Sequence, residues 1–99
     1  MPSNPGRIIS DIKSFISRHD EDYGNWYIGV TNDPISKLLE EHKVDINVDL
    51  WLCSEAFTDQ EALIVEERFV KEWGMDGDCA DGESGRFVYA YRKSDNTEP

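Results

Sequence analysis

The stretch from Asn25 to His42, NWYIGVTNDPISKLLEEH, decides how the rest of the chain is read. Trp26 to Val30 form a short apolar and aromatic run, the pattern of a buried strand. Thr31-Asn32-Asp33 then turn the chain, and Pro34 stands where proline is tolerated best, at the first position of a helix. Asp33 is placed to cap that helix, because its carboxylate can accept the free backbone N–H groups and complement the positive helix end. Ile35, Leu38, Leu39 and His42 recur at helical spacing, so an amphipathic helix is expected from Pro34 to about Lys43. Lys37 projects roughly 160–200° away from that stripe by the helical period and is expected to face solvent or a cleft.

Working outward toward the N-terminus, Ile8, Ile9, Ile12, Phe15 and Ile16 form one stripe and predict a helix over Arg7 to His19, after a polar tail at residues 1–6. Toward the C-terminus, Asp45 to Asp49 are loop-like, and Leu50 to Phe57 read as a second strand covered on both faces. Thr58-Asp59-Gln60-Glu61 has the form of a capping box, with Thr58 as the cap and Glu61 reaching back. The helix it opens is expected to end near Trp73, with Gly74 in the left-handed position. Its buried stripe is Ala62, Val65, Phe69, Val70 and Trp73, and Glu66 falls inside it. A carboxylate there has to be paired, partly exposed or held for a purpose, since burying an isolated charge is too costly. Arg86 to Arg92 read as a last strand, and residues 94–99 as a disordered polar tail.

The sum is a single α+β domain over residues 1–99, in the order α-β-α-β-α-β, with a small three-stranded, mostly antiparallel sheet flanked by three helices. A chain of 99 residues buries roughly 60–70% of its unfolded surface, so it can fold without a metal or a disulfide. Cys53 and Cys79 lack metal-ligand spacing; Cys53 is expected to be a small buried apolar residue. A disulfide is left open by the sequence, and a reducing, cytoplasmic setting is expected. No stretch approaches the roughly 18 apolar residues of a membrane span. Gly74 to Gly85 is glycine-rich and acidic, but Ala80 and Asp81 occupy positions where a calcium loop needs a ligand and a glycine, so it is read as a flexible loop.

Tyr27-Ile28-Gly29, the Thr31 two residues on, the capped helix and the later Ala62-x-x-x-Glu66 helix together resemble the second half of the GIY-YIG nuclease signature, over roughly Trp26 to Trp73. Members of that family cut a phosphodiester with a tyrosine assisting the attacking water, an arginine on the next helix stabilising phosphate charge, and a glutamate on a later helix holding a divalent metal, Mg or Mn. The resemblance implies Tyr27 as the tyrosine of the YIG strand and Glu66 as the metal ligand. It puts Lys37 in the arginine's place, where lysine keeps the charge but loses the planar fork. The histidine expected four residues later is Glu41, with His42 one further along. No Gly-Ile-Tyr strand precedes Tyr27. The last strand is expected to take its position beside Trp26–Val30, so that Tyr89 or Tyr91 replaces its tyrosine.

Charge points the other way. With 21 acidic against 10 basic residues the net charge is −11, whereas a protein gripping duplex DNA typically neutralises about 6–10 phosphates with Lys and Arg. Direct nucleic-acid binding is disfavoured, and the composition favours an inactive GIY-YIG-like protein, without a cofactor, that binds a basic protein partner as an inhibitor or nucleic-acid mimic. The alternative is a divalent-metal-dependent endonuclease using Tyr27, Lys37, His42 and Tyr89 with Glu66 on the metal.

Overall fold

The structure is a computed structural model and describes residues 2–77 and 85–98. Helix α1 spans Pro5–His19 and starts two residues before its expected position. Asn4 explains the difference: its side chain accepts a hydrogen bond from the Arg7 backbone N–H at 2.8 Å, and Pro5 follows at the first helical position. Residues 1–6 were expected as a loose tail, yet the Ser3 N–H also bonds the Glu55 carbonyl at 2.8 Å.

Strand β1 is Trp26–Thr31, with all six residues buried. The capped helix after it, α2, covers only Pro34–Ser36 before passing into a π turn over Lys37–Glu41. Strand β2 is Trp51–Glu55, helix α3 is Asp59–Trp73, and β3 and β4 are Asp76–Gly77 and Phe87–Arg92. The Thr58 hydroxyl accepts from the Glu61 N–H at 3.1 Å. Among the described residues Glu61 Oε1 has no hydrogen-bond partner, so that oxygen does not close the return half of the box. Gly74 ends α3 at φ 71°, a conformation that costs glycine nothing.

The sheet is four-stranded and mixed, in the order β2-β4-β1-β3. β4 runs antiparallel to both neighbours, while β3 adds a parallel pairing of Asp76 and Gly77 with Tyr27 and Ile28. A strand of two residues carries no hydrophobic period, which is why only three strands were expected. β4 lies beside β1 along its whole length, Trp26 opposite Arg92 through Thr31 opposite Phe87.

Side chains alternate across a sheet, so this register sorts the molecule into two layers. On one face Trp26, Ile28, Val30, Val88 and Ala90 meet Ile8, Ile12 and Ile16 of α1 and Ala62, Val65 and Phe69 of α3 in the main core. On the other face Tyr27, Tyr89 and Tyr91 meet Leu38 of the π turn and Val44 in a smaller cluster. β2 sits at the sheet edge, and Cys53 on it is an exposed free thiol rather than a buried residue. Cys79 and most of the acidic glycine-rich loop lie outside the described residues. No helix among the described residues is long and apolar enough to cross a membrane.

Candidate functional site

The smaller cluster is built around His42. Its position depends on the π turn, in which the His42 N–H bonds the Lys37 carbonyl five residues back at 3.2 Å. A regular helix would set residues five apart about 140° from each other, whereas the wider turn winds less per residue and brings both to the sheet side. Lys37 and His42 are accordingly buried, at 9% and 5% exposure. Lys37 was expected on the solvent or cleft side; its ammonium is instead tucked in and pairs with Glu41 at 3.1 Å. Ile35 and Leu39, expected in the buried stripe, are exposed, while Leu38 is fully buried. The physical reason is the same: a sequence period of 3.6 does not apply across a π turn.

β4 supplies two tyrosines to this face. The Tyr89 hydroxyl lies 2.8 Å from His42 Nε2, and the Tyr91 hydroxyl lies 3.1 Å from Nδ1. Tyr27 of β1 packs on all three, with its ring centroid 4.8 Å from His42, 5.4 Å from Tyr91 and 6.5 Å from Tyr89. Gly29 makes this arrangement possible. It stands opposite Tyr89, and a Cβ there would fall 2.4 Å from the phenol oxygen. The glycine of the Tyr-Ile-Gly triplet is thus the bed on which the Tyr89 ring lies.

A fourth contact comes from a segment expected to be disordered. The Glu98 N–H donates to the His42 carbonyl at 2.7 Å, and the Glu98 carbonyl lies 2.7 Å from His42 Nδ1. Residues 94–97 close a turn in which the Ser94 N–H donates to the Thr97 hydroxyl at 2.8 Å. The turn is pinned by Asn96, which donates to the Lys43 carbonyl at 3.2 Å and to Asp49 at 2.9 Å. Ser-Asp-Asn-Thr is turn chemistry, since short polar side chains bond their own backbone, and that was the available signal for order here.

These contacts fix proton positions in the neutral ring. A carbonyl only accepts, so His42 carries its proton on Nδ1 and donates it to Glu98; Nε2 is then the bare nitrogen, and Tyr89 donates to it. Burial pushes the Tyr91 phenol well above the usual tyrosine range, with the charge of Asp76 adding to the effect. Tyr91 therefore keeps its proton, and the hydroxyl that faces a vacant basic nitrogen is that of Tyr89.

Of the residues singled out in the sequence, Tyr27, His42 and Tyr89 are in mutual contact, and Lys37 shares the turn that carries His42. Glu66 is on α3, whose apolar residues cover the opposite face of the sheet; at 1% exposure it is buried, and it is not without a partner. Among the described residues no three His, Cys, Asp or Glu side chains gather as a cation site. The donor set thus does not fit a protein-built metal cage, and one carboxylate suits only a hydrated ion held chiefly by water and phosphate. Among the described residues, Arg7, Lys37, Arg68, Arg86, Arg92 and Lys93 are in ion pairs, which takes six of the ten cations. No protein-family model, curated protein or solved structure matches this chain.

Proposed function

We propose that this chain is a GIY-YIG-like protein acting on phosphodiesters, with Tyr89 and His42 as its proton-transfer pair. The observation that carries the reading is the Tyr89 hydroxyl lying 2.8 Å from His42 Nε2. A hydroxyl and a base in hydrogen-bond reach, with the base oriented by a third group, is the general arrangement by which a weak acid is made reactive. The sequence favoured inactivity through its acidic balance and the lysine in the arginine's place, and it also put the histidine one residue beyond its place in the family signature. The π turn absorbs that residue, which supports the opposite view.

In this reading water attacks phosphorus as its proton passes to the Tyr89 oxygen and the phenol proton moves to His42 Nε2. The new P–O bond forms as the bond to the leaving oxygen breaks, and the imidazolium supplies a proton for that oxygen directly or through water. Lys37 offers positive charge to the phosphate, less well than a bidentate guanidinium. Tyr27 holds the imidazole by ring contact. Glu66 is the one residue that the family resemblance gives for Mg or Mn. Because Tyr89 and His42 are buried, a phosphate reaches them only when the surrounding structure opens. A cytoplasmic setting suits the free Cys53 thiol.

A second reading has its own support. The net charge of −11 and the pairing of most cations favour a basic protein partner over free nucleic acid, as an inhibitor or mimic would require. Incubation of the pure chain with DNA and RNA in Mg²⁺ or Mn²⁺ separates the two. Cleavage lost in Tyr89→Phe and His42→Ala supports the first; no cleavage, together with salt-sensitive capture of a basic protein, supports the second.

A further inference from the structure

We propose that the segment Ser94–Glu98 is a positioning element for His42, one that sets which ring nitrogen bears the proton and so makes Tyr89 the proton donor. Three observations carry it. The Glu98 main chain pairs with His42 twice, N–H to carbonyl and carbonyl to Nδ1, both at 2.7 Å. The segment is clamped by side chains: Thr97 holds Ser94 at 2.8 Å, and Asn96 holds the Lys43 carbonyl and Asp49. Among the described residues the other polar neighbour of Nδ1 is the Tyr91 hydroxyl at 3.1 Å, which can either donate or accept and so does not choose a tautomer.

A histidine whose Nδ1 is unconstrained loses this choice and can place its proton on Nε2, where it would donate to Tyr89 and reverse the direction of that bond. The second group that orients a ring nitrogen is known to set the behaviour of the first. Here that group is a main-chain carbonyl brought from far along the sequence. The tautomer assignment stands on geometry alone; its use in catalysis rests on the phosphodiester reading above.

Nitrogen NMR of the full chain reads the tautomer directly, because protonated and bare ring nitrogens resonate far apart, and only two histidines need be assigned, His19 and His42. The parent should show a protonated Nδ1 and a bare Nε2 at His42. Glu98→Pro, which removes the donated N–H, should move at least half of the population to the other tautomer or to rapid exchange. Asn96→Ala combined with Thr97→Ala loosens the same segment without touching the Glu98 backbone and should shift it in the same direction. A parent with its proton on Nε2 would overturn the proposal, and so would variants that stay folded with the Nδ1 tautomer intact. These spectra do not depend on nuclease activity, so an inactive protein with the expected spectra would sink the functional reading and leave the positioning role standing.

Discussion

Gly29 is the residue on which most of the site's geometry converges. An alanine methyl at that point meets the buried Tyr89 ring, with 2.4 Å to its oxygen and 2.5 Å to the carbon bearing it. Since both residues are enclosed, Gly29→Ala should destabilise the fold by about 1–3 kcal/mol, the usual penalty for overpacking. Urea unfolding measures this, and an unchanged midpoint would mean that the ring lies elsewhere. Asp20 sets a different, pH-dependent expectation. Arg92 first, then Asn25, hold its carboxyl down to about 2 from 3.8. A group depressed in the folded state contributes stability that is present above its unfolded value, about 4, and is lost as pH falls toward 2. Asp20→Asn should therefore flatten the decline of the urea midpoint across that window; an unchanged slope would rule the Arg92 contact out as its source.

At the scale of elements, legibility tracked periodicity. α1 and α3 declared themselves by apolar stripes, and Thr58 and Gly74 marked the ends of α3. Thr58→Ala should thus cost about 1 kcal/mol, the ordinary value of a lost N-cap, read from the same unfolding curves. β4 was recognisable from Val88, Tyr89 and Tyr91, and its place beside β1 followed from the absent first strand. Three things were not legible. The π turn breaks the period on which the stripe of Ile35, Leu38, Leu39 and His42 was counted, so Lys37 and Leu39 exchanged burial. The pairing of Asp76 with Tyr27 involves too few residues to leave a pattern. The turn at 94–97 had a local signal, but its docking comes from contacts with Lys43 and Asp49, some 45–55 residues away, which local composition does not encode. Deleting the exposed Glu40 should convert the π turn to an α turn with Lys37 and the histidine still on the sheet side. That shortened chain should be no less stable than its parent, whereas an alanine inserted after Leu39 should melt lower; the reverse order would show that the extra residue is not what the turn absorbs.

For the molecule as a whole, two large facts compete. Net charge of −11 opposes nucleic acid at long range, while Tyr89 and His42 are buried within hydrogen-bond reach of each other. Charge governs how fast and with whom the surface meets a partner; in the proposed reading, chemistry is decided over the few ångströms around Tyr89 and His42. The central claim is that this pair transfers a proton during phosphodiester cleavage. Its most direct test is the rate of cleavage of single- and double-stranded DNA and of RNA in Mg²⁺ or Mn²⁺, for the parent, Tyr89→Phe and His42→Ala, each first shown to be folded. Cleavage by the parent, slowed by about 10²–10⁴ in either variant as for a lost acid–base group, is the predicted result. A parent that cleaves none of these substrates, or variants that cut as fast as the parent, would contradict it.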